Sequence, residues 1–399
     1  MKVVWLCHFV NQEMKDYFKT PDVKELAPWI DNLIVLFRAQ KGIKLYIVSP
    51  NVFTNMDHHT VINGINYHFY KHIPIPGYIK LFNKAHSFLR LESITNFSFT
   101  KYKIQKIIDS IQPDLIHLHG AENPYYAAGF LRVADYYPNI VTIQGFIRQS
   151  IDTGFYVKKR RIIEEQILIK TKHIGVRTRE MSQIAKSLNP HAKLHFHNYP
   201  TKVPSITKGN IGGVEPIDCI FFARVCKDKG IEDLLEAISI VKKKLANISL
   251  AVIGSAGAKY MLYLKNLCIK LHIDNNVNFI GFLPTQEDIY KYAIKAKICV
   301  LPTYHDIIPG TVIESMMMKL PVVAYAVGGI PELNEVDETV VLVSPKNIKK
   351  LAEKIINLLN DVKARNLMVE TAYTYAKERF DNSRIIPDIM QAYRIILDR

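Results

Sequence analysis

Short apolar runs alternate with stretches of helical periodicity along both halves of the chain. In the first half, residues 3–7, 44–49, 65–70, 115–118 and 140–143 read as strands, being apolar-rich, too short for helices and mostly closed by turn residues. Residues 29–41 and 104–111 carry helical spacing, the second closed by Pro113. The second half repeats the scheme, with strands at 217–223, 249–253 and 277–280 and helices at 231–246, 260–271 and 286–293. After Ser344-Pro345 come helical stretches at 348–360 and 363–379, and then an amphipathic helix over about 382–399. Such alternation predicts α/β architecture: parallel sheets covered on both faces, in two Rossmann-like domains. Three prolines and three glycines without periodicity between Pro200 and Pro216 mark residues 201–216 as a linker, leaving domains at 1–200 and 217–381.

The most informative stretch is 296–335. A buried strand at 298–301 stops at Pro302, a polar loop runs from Thr303 to Asp306, and Pro309-Gly310-Thr311 turns into a helix. Val312, Ile313, Met316, Met317 and Leu320 form that helix's apolar face before Pro321 ends it. A second buried strand, 321–325, leads to the turn Gly328-Gly329-Ile330-Pro331-Glu332. The unit gathers two loops and a helix N-terminus at the carboxyl edge of a parallel sheet, where such sheets bind ligands. Gly310 and Thr311 open the helix, whose positive end suits phosphate. Asp306 and Glu314 stand beside it, and sugar or ribose hydroxyls are donors that carboxylates there would accept from. The combination points to a nucleotide-sugar. The competing reading makes Thr311-Val312-Ile313-Glu314 a capping box, with Glu314 serving the helix alone.

Three further segments carry candidate chemistry. Arg224 and Lys229-Gly230 follow the first strand of the second half, where a fork and a point charge reach a diphosphate from two sides. Taken alone, such residues are as readily a solvated surface. Phe282 and Leu283 follow another strand end. In the first half, 114–120 is a strand whose alternation sends His117 and His119 to one side; a His at that end can bind a sugar hydroxyl or move a proton. A satisfied interior histidine is the alternative.

The 296–335 stretch resembles the C-terminal signature of the family four retaining glycosyltransferases with the GT-B fold: two acidic residues separated by seven others, an apolar helix, a Pro-Val-Val strand and a Gly-Gly-Ile-Pro-Glu turn. Arg224 and Lys229-Gly230 match the family's diphosphate-neutralising pair. The resemblance implies two Rossmann-like domains facing across a cleft, the final helix crossing back to the first, acceptor-binding domain. It implies sugar transfer from a nucleotide-sugar donor to a hydroxyl acceptor with retention, in polysaccharide or glycolipid biosynthesis. Arg224, Lys229, Gly230, Gly310 and Thr311 would face the diphosphate, and Glu314 the ribose. Phe282 and Leu283 would lie near the base, and Asp306 and His119 at the donor sugar. No Asp-x-Asp motif is present, so the expectation is a metal-independent enzyme with no cofactor beyond its donor. The chain departs from the pattern in having Asp306 for the usual Glu, Ile307-Ile308-Pro309-Gly310 for a Gly-Phe-Gly type loop, and 8–13 where a Gly-Gly turn is usual.

Charge adds a question about partners. The net charge is +15, and residues 1–200 hold 26 Lys and Arg against 15 Asp and Glu, a surplus of +11. Nucleic acid, an anionic membrane or a phosphorylated, lipid-linked acceptor would each account for it, as would a solvated surface. Residues 73–106 interleave Tyr78, Phe82, Phe88, Phe97, Phe99 and Tyr102 with lysines and Arg90, the makings of an interfacial segment. No apolar run reaches a spanning length and no leader pattern opens the chain, which predicts a cytoplasmic protein, peripheral on the membrane's inner face. The five scattered cysteines read as reduced core residues without metal-ligand spacing. Two rivals remain at this level. A nucleotide-sugar epimerase shares the architecture, and a basic nucleic-acid-binding protein has the surplus charge as its sole support and no recognised module.

Overall fold

The computed structural model describes residues 1–23, 25–71, 92–149, 154–201 and 215–398. Most of the 73–106 segment and the linker expected at 201–216 lie outside the described residues. The chain divides into two compact units, Met1–Pro200 with Asn382–Arg399, and Thr201–Asp381.

In the first unit, β1 (Lys2–Leu6), β2 (Lys44–Pro50), β3 (His58–Ile62), β4 (Ile65–Tyr70), β5 (Leu115–His119), β6 (Asn139–Thr142), β7 (His173–Val176) and β8 (Lys193–Phe196) form one sheet in the order β3-β4-β2-β1-β5-β6-β7-β8. All neighbours are parallel except β3 and β4. The β3–β4 pair is a hairpin the periodicity reading overlooked, although Asn63-Gly64 announces it: both residues take positive φ (47° and 81°), as a twist-matched two-residue turn requires. One face of the sheet is covered by the helix Pro28–Arg38 through Ile30, Leu33, Ile34 and Phe37, and by the last helix, Asn382–Ile396, through Ile385, Ile389, Ala392 and Tyr393. Trp5 Nε1 donates to Tyr393 Oη at 3.0 Å, which fastens that helix to β1. The described part of 73–106 ends in the helix Ser98–Ile111. There, Lys106 lies over the Tyr102 ring and Lys103 over Phe99, and Lys103 also pairs with Asp57.

In the second unit, β9 (Ile217–Phe222), β10 (Leu250–Ile253), β11 (Val277–Gly281), β12 (Ala296–Leu301), β13 (Val322–Tyr325) and β14 (Val341–Val343) run parallel in the order β11-β10-β9-β12-β13-β14. β10 and β13 are buried throughout and β9 and β12 nearly so, as strands covered on both faces must be. The order reverses at β9, which has β10 on one side and β12 on the other. The loops leaving β9 and β12 therefore diverge over a crevice, the position at which open α/β sheets hold ligands.

Candidate active site

The segments bordering that crevice carry Arg224, Lys229, Gly230, Asp306, Gly310, Thr311 and Glu314, while Phe282 and Leu283 follow β11, two strands from β9. Arg224 stands in the loop after β9, exposed, with no hydrogen bond or ion pair among the described residues. Lys229, at the loop's far end, forms an ion pair with Asp306 in the loop after β12, both side chains 21% exposed. The other oxygen of Asp306 accepts from the Ile307 amide at 3.1 Å. The resemblance implies that Asp306 faces the donor sugar; in the structure its two oxygens are engaged by Lys229 and its own loop.

The loops hold one another through backbone contacts that glycine permits. Gly230 takes φ +69°, and a Cβ there would lie 1.8 Å from Pro302 O, so the first loop rests directly on the second. Thr303 Oγ1 and the Tyr304 amide both donate to Asp228 O, tying the same loops a second time. Gly328 takes φ +58°, and a Cβ there would lie 1.7 Å from Asp306 O. The Gly329 amide donates to Ile307 O at 2.7 Å, so the Gly-Gly turn backs the Asp306 loop. Beneath them, Tyr304 Oη and Tyr325 Oη donate to the two oxygens of Asp233 at 2.7 and 2.6 Å.

The helix Gly310–Met317 opens on Pro309, and no side chain caps it. The capping-box reading of Thr311 and Glu314 is thereby overturned. Thr311 sits inside the first turn, and its hydroxyl donates to Phe222 O at 2.7 Å, joining the helix to the end of β9. Pro309, with its fixed φ and extended ψ of 134°, takes the N-cap place and has no side-chain acceptor of its own to offer the first turn. Glu314 accepts from Gln286 Nε2 at 3.2 Å, and one of its oxygens comes within 3.5 Å of where a Gly310 Cβ would stand. Gln286 begins the helix that follows Phe282 and Leu283; Phe282 is 69% exposed, while Leu283 packs on the core. The Tyr290 hydroxyl on that helix has its pKa raised, first by burial and then by the Glu314 charge.

Gln286, Asp233 and Tyr304 escaped sequence reasoning because their partners lie 28 to 92 positions away, with no local pattern to join them.

His119 belongs to the first unit, at the end of β5. His117 and His119 do share one side of the strand, stacked with centroids 3.8 Å apart. Both are interior: His117 bonds Tyr393 Oη at 2.7 Å and Thr142 Oγ1 at 2.6 Å, and His119 bonds Tyr199 Oη at 3.1 Å. His197 Nε2 meets Thr142 from β6's other side at 2.9 Å. Burial holds all three imidazoles neutral, with His197 down to about 3. His119 keeps one ring nitrogen, Nε2, buried and without a partner among the described residues.

Arg224, the Lys229–Asp306 pair, the N-terminus of the helix Gly310–Met317 and Glu314 one turn in thus lie on the segments that leave β9 and β12. Residues 210–375 match the family model of the glycosyl transferases group 1, and residues 37–162 match that of the glycosyl transferase 4-like domain. Two glycosyltransferase models thus cover most of the chain, which is a glycosyltransferase. It is 24% identical over 312 residues to an uncharacterised glycosyltransferase of Methanocaldococcus jannaschii, covering 76% of this chain and 82% of that one. It is 23% identical to a Bacillus subtilis glycosyltransferase named for teichuronic acid biosynthesis, over 72% of each. A Staphylococcus aureus capsular polysaccharide biosynthesis glycosyltransferase is 25% identical over 44% of this chain, which spans about half (46%) of that relative. Another Methanocaldococcus jannaschii glycosyltransferase, 28% identical, is likewise matched over 45% of its length. Among solved structures, sucrose-phosphate synthase from Thermosynechococcus elongatus superposes with a TM-score of 0.73 at 16% identity, over 100% of this chain and 99% of that one. Anabaena HepE, solved with UDP and glucose, superposes with 0.69 at 15% identity, over 98% and 99%. These likenesses establish the GT-B fold for this glycosyltransferase.

Proposed function

We propose that this glycosyltransferase moves a sugar from a nucleoside diphosphate sugar to a hydroxyl acceptor with retention at the anomeric carbon, in the assembly of a polysaccharide or glycolipid. The observation that carries the reading is the crevice between β9 and β12, where Arg224, Lys229 and the open N-terminus of Gly310–Met317 converge. In the reaction the bond from the anomeric carbon to the diphosphate oxygen breaks and the acceptor oxygen bonds to that carbon on the same face. The departing phosphate oxygen takes the acceptor's proton. Arg224, Lys229 and the helix end offset the charge that develops on the diphosphate, which is electrostatic stabilisation of the transition state and gives the leaving group its counter-charge without a metal. Glu314 accepts from the ribose hydroxyls, Phe282 and Leu283 flank the base, and Asp306 turns from Lys229 to the donor sugar when the diphosphate claims the lysine. The UDP bound by Anabaena HepE supports a uridine nucleotide as donor carrier. No helix among the described residues is long and apolar enough to cross a membrane. The surplus of +11 on residues 1–200 supports attraction to an anionic lipid surface, where lipid-linked acceptors reside. The glycosyltransferase family matches favour transfer over the epimerase and nucleic-acid-binding readings.

The test is turnover of a panel of uridine, guanosine and adenosine diphosphate sugars in EDTA, with the product's anomeric configuration read by proton NMR. The reading requires nucleoside diphosphate release with retained configuration. An inverted product, or turnover that appears only on adding Mg²⁺ or Mn²⁺, contradicts it.

A further inference from the structure

The first unit's sheet has a reversal point of its own. β1 lies between β2 and β5, so the segments leaving β1 and β5 diverge there and open a second crevice of the kind that holds ligands. After β5 the chain reads Gly120-Ala121-Glu122-Asn123-Pro124. Gly120 takes φ +88°, and a Cβ at that position would stand 2.6 and 2.7 Å from the two carboxylate oxygens of Glu122. The carboxylate is thus folded back over the Gly120 backbone, at the end of the strand.

Its surroundings fix one oxygen and leave the other. Oε1 receives Tyr126 Oη at 3.3 Å and Asn123 Nδ2 at 3.4 Å. Arg160 anchors the backbone rather than the carboxylate, with Nε donating to Glu122 O at 2.7 Å and Nη2 to Asn123 Oδ1 at 3.0 Å. From the β1 side, His8 shares a hydrogen bond of 3.0 Å with Tyr125 Oη, which roofs the same loop. Oε2 of Glu122 is buried and has no hydrogen-bond partner among the described residues. One turn of chain earlier, His119 Nε2 is in the same condition. Buried polar atoms in folded proteins are nearly always satisfied, so two such atoms at one strand end ask for a third party.

Burial raises the Glu122 carboxyl above the usual carboxylate range; ionised, Oε2 is an acceptor and needs an O–H or N–H, and protonated it offers an O–H that a sugar hydroxyl equally accepts. A phosphate offers oxygens and would be repelled, whereas a sugar offers hydroxyls. We propose that Glu122 is an acceptor-binding residue: its Oε2 takes the hydrogen bond of a sugar hydroxyl seated at the β1–β5 crevice, so that the acceptor is itself a pyranoside. The proposal rests on the glycosyltransferase reading above and adds the acceptor's chemical class. A buried water is the other occupant.

The variant Glu122→Gln separates the two. Asn123 Nδ2, which can only donate, faces the amide oxygen, while Tyr126 Oη divides its one proton between that position and His119 O; NH₂ then stands where Oε2 stood and turns an acceptor into a donor without changing shape. The experiment uses the full chain with uridine, guanosine or adenosine diphosphate present, and methyl α- and β-gluco-, galacto- and mannopyranosides as probes, followed by saturation-transfer NMR. At least one methyl pyranoside should bind the wild-type protein, and Glu122→Gln should weaken it tenfold or more with nucleoside diphosphate affinity and Tm unchanged. Wild-type protein that binds none of the six probes, or a variant that binds them as wild type does, overturns the proposal. Should Glu122→Gln fall in Tm, Glu122→Asp, which keeps the charge but withdraws it by one methylene, must show the same selective loss; otherwise the carboxylate serves the fold and the proposal fails. Failure of wild-type protein to bind any nucleoside diphosphate would instead overturn the donor reading, so the two failures are distinct.

Discussion

Asp306 and Lys229 neutralise one another across two loops, and a carboxylate beside a diphosphate seat works against the diphosphate. Replacing Asp306 by Asn removes that competitor while keeping the side chain's size. Nucleoside diphosphate affinity should therefore rise a few-fold by calorimetry while sugar transfer falls about tenfold or more, since the group proposed for the donor sugar is lost. A fall in both would mean that the ion pair holds Lys229 in position. At Glu314 the capping box with Thr311 is excluded, because Pro309 occupies the cap. Glu314→Gln should leave Tm close to wild type and cost on the order of tenfold in kcat/KM, about 1.4 kcal/mol, because an amide accepts through one oxygen where a ribose diol offers two donors. The placement of Arg224, Lys229, Asp306 and Glu314 on the segments after β9 and β12 was legible in the sequence because each follows a strand end. Gln286 and Asp233 were not, since their contacts exist only after β9, β11 and β12 come together.

At the scale of elements, the second unit's carboxyl-edge loops are seated on glycines. Gly230 on Pro302, Gly254 on Ala223 and Gly328 on Asp306 each bring backbone to a distance no Cβ tolerates. Gly328→Ala must both force a side chain into positive φ and push the Asp306 carbonyl away, so it should destabilise by more than about 1 kcal/mol in urea unfolding and weaken nucleoside diphosphate binding together. Unchanged binding in a folded Gly328→Ala protein would separate the turn from the site. The Gly-Gly turn was visible in the sequence, but its counterpart, the Ile307-Ile308 loop it supports, was not, since the contact is backbone to backbone and leaves no residue signature. Missing β3 has a different cause: the strand HHTVI is half-exposed and polar, so no apolar run marks it, and Asn63-Gly64 was the signal to follow.

For the whole molecule, the last helix joins the first unit's core, with Tyr393 bridging Trp5 and His117. That core carries three neutral imidazoles, facing His195, Arg177, Tyr199 and Tyr393. Their pKa values are depressed on folding, so the stability they contribute is present above the unfolded value of about 6.5 and is lost as pH falls toward the folded values, about 3 for His197. Glu164 acts in the opposite sense: burial raises its carboxyl to about 7, so its contribution is full below about 4.5 and is lost as pH rises through 7. Tm should fall between pH 7 and pH 5 on the histidine account, and Glu164→Gln should raise Tm at pH 8 relative to wild type. A Tm of the Glu164→Gln protein that is flat from pH 7 to pH 5, with that opposing group removed, would mean the buried imidazoles are not the acid-sensitive groups.

The central claim is that the crevice of the second unit binds a nucleoside diphosphate by cationic side chains and a helix end. Calorimetric titration in EDTA with uridine, guanosine and adenosine diphosphates and their nucleosides tests it most directly, on wild type and on Arg224→Ala and Lys229→Ala. One of the diphosphates should bind saturably without metal, each substitution should weaken it by about 1.5 to 3 kcal/mol, and the matching nucleoside should be nearly unaffected. Binding that needs a divalent cation, or equal losses for diphosphate and nucleoside, would contradict it.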